Sequence, residues 1–290
     1  MTTSPGLRSA SASARSPRLA AARRLTKRAL RQYARAFLVE GPQAVTEAFA
    51  SGAPVTELFV TAEARARHDG LVSAMARAGV PAHSVSGEVM SGLAQTVTPQ
   101  GLIAVCGFVD TSLAEAVAAT RAGQPGTAAL VAVLANVRDP GNAGTVLRTA
   151  DAAGAAAVIF SDASVDPYNG KCVRASAGSL FHLPMVAGAR LEETVRALRG
   201  AGLRILAADA RAARSLDELS AAELSAPAAW VFGNEAWGLP PDLLALADAR
   251  VAVPIYGRAE SLNLAAAAAV CLYSSGRAQH AARAAGPGDH

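Results

Sequence analysis

Residues 136–148 read N-V-R-D-P-G-N-A-G-T-V-L-R. Ahead of them residues 128–135 form an unbroken apolar run that reads as a buried strand. After them, over 145–153, apolar residues recur at helical spacing. Between the two lie Asp139, Pro140, Gly141, Asn142 and Gly144, residue types that build tight turns. The spacing predicts a strand, a tight loop and a helix starting at the loop, and open α/β sheets bind ligands at the carboxyl ends of their strands. Arg148 is the only charge between Asp139 and Asp151, about one and a half turns into the expected helix. An arginine among small and apolar neighbours usually has an anionic partner. Two other readings fit the stretch alone: an Asn/Gly turn capping a helix with an exposed arginine, or a dinucleotide loop. Against the latter, Gly141-x-x-Gly144 lacks the full G-x-G-x-x-G, and Asp162 is only a weak match to the acidic residue expected about 20 positions on.

Outward from this stretch, strands are expected at 157–160, 203–207, 229–232 and 251–254, and helices at 170–177, 191–200, 241–247 and 262–274. Such alternation predicts an α/β domain over 128–283, its sheet mostly parallel with helices on both faces. Residues 110–127 read as a linker, its front also readable as a helix belonging to either domain, with the boundary at 123–127. Residues 16–109 read as a small αβαβ domain, with strands at 37–39, 55–60, 83–85 and 101–109 and a helix over 63–78. Its first helix, over 18–33, is expected to be basic and amphipathic, with Leu25, Ala29, Leu30 and Tyr33 on its apolar side. Residues 1–15 read as a disordered basic tail and 284–290 as a second tail.

A chain of 290 residues with 51% hydrophobic content can bury a sizeable core, although alanine dominates it and aromatics make up only 4%. Cys106, Cys172 and Cys271 are far apart and form no C-x-x-C, so neither a disulfide framework nor a zinc site is indicated, and no metal is expected. His182, in L-F-H-L-P, reads as a structural histidine. No secretory signal or membrane-spanning run is found, and a reduced, cytoplasmic setting is expected.

Charge is uneven. Nine of the 27 Lys+Arg lie within residues 1–36, which hold no acid, leaving 18 bases against 23 acids in the remainder. The formal charge of +4 is thus an acidic body with a basic front end. Arg18, Arg23, Arg24, Lys27, Arg28, Arg31 and Arg35 are candidates to bind a polyanion, for which nucleic acid is the usual partner. A solvated terminus and an Arg/Ser-rich organelle transit peptide are the competing readings.

Two more loops follow expected strands. Residues 231–241, V-F-G-N-E-A-W-G-L-P-P, place Gly233, Asn234, Glu235 and Gly238 at a strand's carboxyl end, where Gly238 allows close backbone approach and Trp237 can cover a flat group. The same stretch also reads simply as a helix N-terminus, with Pro240 or Pro241 at its first position. Residues 253–264, V-P-I-Y-G-R-A-E-S-L-N-L, precede an alanine-rich helix, with Ser261 as the expected N-cap and Asn263 in the first turn. Free N–H groups there can hold a carboxylate or phosphate.

Taken together and in order, the three loops resemble the three motifs of the SpoU/TrmH family of knotted RNA 2′-O-ribose methyltransferases. The matching stretches are N-x-R-D-P-G-N-x-G-x-x-x-R-T, F-G-N-E-x-x-G-L and V-P-I-x-G-x-x-E-S-L-N-L-A-x-A, with R-A-S-A-G-S (174–179) between them. R-x-x-x-x-F-L-V-E-G-P-Q-A-V resembles the start of the family's small substrate-binding domain, so the likeness covers roughly residues 17–280. The resemblance implies a parallel-sheet C-terminal domain tied in a deep trefoil knot (SPOUT), a small N-terminal α/β domain for RNA, and a homodimer with active sites at the interface. It implies S-adenosylmethionine as cofactor, held by backbone groups at Gly233, Ile255 and Leu264, with Asn234, Gly238 and Leu262 beside them. It makes Arg148 the group that takes or stabilises the 2′-hydroxyl proton and Asn142 the residue orienting it. Ser261 and Asn263 would position ribose or arginine, and Glu235 would order the site. The implied substrate is 23S rRNA, in a housekeeping or an antibiotic-resistance role. The alternatives are a tRNA 2′-O-methyltransferase, a non-catalytic RNA-binding or ribosome-assembly protein and, from another class, a nicotinamide-dependent oxidoreductase, which would need the missing glycine spacing.

Overall fold

The computed structural model describes residues 16–121 and 129–284 (of Arg121, the backbone alone). The two expected tails, apart from Ala284, and the expected boundary at 123–127 lie outside these residues. The chain divides into two compact units, residues 1–109 with 168–174, and residues 110–167 with 175–290.

The first unit runs α1 (Pro17–Arg24), α2 (Arg28–Ala34), β1 (Ala36–Glu40), α3 (Pro42–Ala50), β2 (Val55–Val60), α4 (Ala62–Arg67), α5 (Asp69–Arg77), β3 (Ala82–Ser84), α6 (Gly87–Ser91) and β4 (Leu102–Gly107). Its four-stranded sheet has the order β1-β4-β2-β3, in which β4 is antiparallel to both neighbours and β2 and β3 are parallel. The single helix expected over 63–78 is two, broken at His68.

The expected helix over 18–33 is likewise two, with Leu19, Ala22 and Leu25 buried against Leu38, Phe59, Val85 and Met90. Between α1 and α2 the chain turns, and the carbonyls of Leu25 and Thr26 each accept a 2.9 Å hydrogen bond from Arg31 Nη1. This reverses the expected faces of α2. Arg31 is 3% exposed, whereas Tyr33, expected on the apolar side, is 88% exposed. A buried guanidinium must be hydrogen-bonded, and here it satisfies carbonyls that the end of α1 leaves without helical partners.

The second unit runs α7 (Leu113–Arg121), β5 (Leu130–Leu134), α8 (Pro140–Ala152), β6 (Ala157–Ser161), α9 (Gly170–Ser176), β7 (Met185–Ala189), α10 (Leu191–Gly200), β8 (Arg204–Ala208), α11 (Ala221–Ser225), β9 (Ala228–Phe232), α12 (Pro241–Ala245), β10 (Ala249–Val251) and α13 (Leu264–Ala284). The opening of α9 falls in the segment 168–174 that belongs to the first unit. All strand pairs of the six-stranded sheet, ordered β10-β8-β9-β5-β6-β7, are parallel, as the alternation predicts.

The central strands β5 and β9 are buried throughout, so both read as continuous apolar runs. They lie side by side with Leu134 opposite Phe232, so the loops that follow them start as neighbours. The chain order reverses between these two strands, the switch point at which open parallel sheets bind ligands. Small residues let α13 close over the unit. A Cβ on Gly276 would come within 2.6 Å of the Ala153 carbonyl oxygen, and the buried Trp230 indole donates to Ser275 Oγ at 2.9 Å. Among the described residues no helix is long and apolar enough to cross a membrane.

Candidate active site

The first loop is shorter than its sequence suggests. α8 starts at Pro140, five residues before the expected helix, so Arg148 lies over two turns in. Asp139 is the N-cap, its carboxylate accepting from the Asn142 amide at 2.8 Å, and Pro140 takes the first helical position, where a missing N–H costs nothing. Asn136 adopts φ 59°, a left-handed conformation that asparagine tolerates better than most residues.

The second loop is pinned to the first. Asn234 and Gly238 exchange backbone hydrogen bonds (2.8 and 2.9 Å), closing a tight turn in which Gly238 has φ 77°. The Asn234 side chain, 9% exposed, donates to the Asn136 carbonyl and accepts from the Ala236 amide, both at 2.9 Å. Gly233 has no room for a side chain, since a Cβ would meet the Gly238 backbone and lie 2.6 Å from the Leu239 nitrogen. The turn presents the Glu235 carboxylate to the first loop, where it accepts from the Arg138 amide (3.2 Å), the Asp139 amide (3.1 Å) and Asn142 Nδ2 (3.3 Å). Partial burial pushes the Glu235 carboxyl up. The backbone amides of Glu235, Asp139 and Arg138 and the Asn142 side chain outweigh that and hold it below its ordinary value.

The third loop leaves β10 at the sheet edge and returns to the centre. Asn263 Nδ2 donates to Asn142 Oδ1 at 3.1 Å, while its own Oδ1 accepts from the Ala265 amide at 2.9 Å. Thus Asn263, not Ser261, caps α13, whose helix starts at Leu264; Ser261 lies upstream and exposed. The donors run in one direction, from the Ala265 N–H through Asn263 and Asn142 to Glu235, which fixes both amide orientations. Among the described residues, the backbone of 253–262 has no hydrogen-bond partner within the chain. Ile255 and Leu262 are exposed and Leu264 is half-buried. The loop is steadied by a hydrogen bond from the Tyr256 hydroxyl to the Asp217 carboxylate.

Arg148 is exposed and makes no hydrogen bond or ion pair among the described residues. Six residues separate it from Asn142, which places the two about 120° apart around α8. Asn142 is therefore held by Glu235 and Asn263 rather than by the arginine it was expected to orient. Of the basic candidates, Arg24, Lys27 and Arg28 are exposed, Arg23 is half-buried and Arg18 pairs with Glu57 at 3.3 Å. Arg35 ends α2, its guanidinium 4.5 Å above the Phe108 ring centroid. Arg31 drops out, because its guanidinium is spent inside the fold. Sequence reasoning missed the roles of Asn136, Asp139 and Asp217. Only Asp139 carried a signal, as an Asp-Pro pair three residues before an amide it caps. Among the described residues no group of three or more His, Cys, Asp or Glu could hold a metal ion.

A SpoU rRNA methylase family profile matches residues 129–273, a span that contains all three loops. The chain belongs to this family. An MRM3-like substrate-binding domain profile matches residues 16–104 of this SpoU methylase. Over 237 residues it is 36% identical to the 23S rRNA (guanosine(2553)-2'-O)-methyltransferase RlmP of Bacillus subtilis, covering 82% of this chain and 87% of that one. It is 34% identical over 224 residues to the 23S rRNA (guanosine-2'-O-)-methyltransferase RlmB of Bordetella pertussis, covering 77% and 89%. Its fold matches the crystal structure of an AdoMet-bound rRNA methyltransferase from Sinorhizobium meliloti, with a TM-score of 0.76, 31% identity and coverage of 90% and 94%. The cofactor-bound SpoU methyltransferase AviRb of Streptomyces viridochromogenes matches with a TM-score of 0.76 at 26% identity, covering 90% and 98%.

Proposed function

We propose that this SpoU methylase transfers a methyl group from S-adenosylmethionine to a ribose 2′-hydroxyl of 23S rRNA, as a homodimer. The observation that carries the reading is the Glu235–Asn142–Asn263 chain of hydrogen bonds, which binds three sequence-distant loops into one site at the switch point of the sheet. The residues present fit the cofactor. Gly233 and Gly238 keep side chains out of a turn, and the backbone of 253–262 offers donors and acceptors that the chain does not use. Backbone polar groups that have no partner in the chain are available to a bound ligand. Gly233, Asn234, Gly238, Ile255, Leu262 and Leu264 are assigned to holding it. When bound, S-adenosylmethionine supplies a methyl on a cationic sulfonium, so the protein's task is orientation and charge.

Arg148 is assigned to the 2′-oxygen. A guanidinium has a pKa above about 12 and is a poor base, so its role is to stabilise negative charge developing on that oxygen, with an RNA phosphate available to share the proton. Asn142 and Asn263, locked by Glu235, give the ribose a fixed set of polar contacts, joined by Ser261. Because Arg148 and Asn142 leave α8 in different directions, a site needing both is best served by two copies of the chain. The outer face of α13 supports pairing of copies, with Val270 and Tyr273 exposed one turn apart.

The test is tritium transfer from labelled S-adenosylmethionine to purified 23S rRNA and, separately, tRNA, followed by alkaline hydrolysis. Label in an alkali-stable dinucleotide of 23S rRNA is the expected result. Label confined to tRNA, or to alkali-labile mononucleotides, would overturn the substrate or the 2′-position.

A further inference from the structure

We propose that Tyr33 is a stacking platform for an unpaired base of the RNA substrate, an assignment that rests on the RNA reading above. Large aromatic side chains are normally withdrawn from water, yet Tyr33 is 88% exposed and stands outside the aromatic contacts of the first unit. Its position is imposed by the fold. Arg31 drives its guanidinium inward to the carbonyls that end α1, and this fixes the rotation of α2. The opposite side of the helix must then face solvent, and it carries Tyr33, while Lys27 and Arg28 are exposed where the helix begins. Arg24 is also exposed at the end of α1, and Arg35 is exposed where α2 ends. Residues 17–36 contain no acid, so nothing on these two helices offsets the charge.

An exposed aromatic ring on a helix with exposed lysine and arginine at its two ends is a combination suited to single-stranded nucleic acid. The cations meet phosphates, and the ring takes the face of a splayed base. A duplex offers no free base face, so this surface selects a loop, bulge or strand end. The two contributions are separable, because only the phosphate contacts release counterions.

The experiment is a binding titration of full-length protein with deproteinised 23S rRNA and with a fully paired RNA duplex, over a series of salt concentrations. Tyr33→Ala is expected to weaken 23S rRNA binding about fivefold or more, leave duplex binding and the salt slope unchanged, and leave S-adenosylmethionine affinity and thermal stability at wild-type values. Tyr33→Phe is expected to restore binding, since the ring and not the hydroxyl does the stacking. Arg28→Ala is expected to lower the salt slope by about one. Wild-type affinity for 23S rRNA in Tyr33→Ala overturns the stacking role while leaving the methyltransferase reading intact. A Tyr33→Ala loss shared equally by the duplex, or not recovered by Tyr33→Phe, also overturns it. Failure of the wild-type protein to bind 23S rRNA at all overturns both.

Discussion

Replacing Glu235 by glutamine tests whether the three loops act as one site. The carboxylate accepts two backbone amides and the Asn142 side chain, at 3.1–3.3 Å. These are long bonds on an exposed side chain, so each is placed at the low end of the usual net range, about 0.5–1 kcal/mol. Glutamine keeps one acceptor oxygen for Asp139 and Asn142, but turns its amide nitrogen toward the Arg138 N–H, donor against donor. Losing one bond, weakening two and adding that repulsion costs about 2 kcal/mol in the order of the site, or a 10- to 30-fold fall in kcat/KM. The fold should lose only about 1 kcal/mol of this, because the loops are also held by Asn234 to the Asn136 carbonyl and by the Asp139 cap. The assay is initial-rate tritium transfer to RNA, with calorimetry for S-adenosylmethionine affinity and a urea curve for stability. Asn142→Ala is then added to complete a double-mutant cycle. Residues in one hydrogen-bonded network couple, so the double variant should lose less than the product of the single losses. Strict additivity, or a Glu235→Gln enzyme within twofold of wild type, would refute the idea that Glu235 acts through Asn142.

Arg148→Lys keeps the charge but not the planar fork, and should lower turnover about 100-fold with cofactor affinity unchanged; near-normal turnover would exclude a specific guanidinium role. Mixing Arg148→Ala with Asn142→Ala subunits should restore up to about a quarter of wild-type activity if each site takes these residues from different copies, and nothing if it takes them from one. Arg31→Ala strips two carbonyls of a buried charged donor and should destabilise the first unit by about 2–3 kcal/mol, read as an earlier urea midpoint. The depressed Glu235 carboxyl sets a pH dependence. Its contribution is fully present above the ordinary value of 4.5 and is lost as pH falls through the lower folded value. The stability gap between wild type and Glu235→Gln should therefore be constant from pH 5 to 8 and close only in more acid solution, and a gap that closes near neutrality would contradict the assignment.

What was legible in the chain was what burial writes locally. β5, covered on both faces, is a continuous apolar run, and its observed span, Leu130–Leu134, lies inside the run of 128–135 that the sequence marks as a buried strand. β7 was missed because Met185–Ala189 is an edge strand containing Gly188 at φ 77°, so it lacks both the length and the side chains of a buried run. The start of α8 was placed late because Asp-Pro-Gly-Asn has turn composition. A cap at Asp139, a proline that needs no N–H and the two side-chain bonds of Asn142 offset the poor propensity of those residues. The site itself could not be assembled from spacing. Asn142 is 93 positions from Glu235 and 121 from Asn263, and only the strand order that sets β5 beside β9 brings the loops together. The trefoil knot is a matter of how the chain threads, which no periodicity encodes, so the resemblance alone suggested it. Helix α2 shows the reverse limit. A helical wheel assigns Tyr33 inward and Arg31 outward from hydrophobicity alone. The wheel cannot register that the chain breaks at residues 25–27 and leaves carbonyls needing a donor. Once that need is counted, a buried arginine and an exposed tyrosine become the cheaper arrangement, and the surface left over is the one suited to RNA.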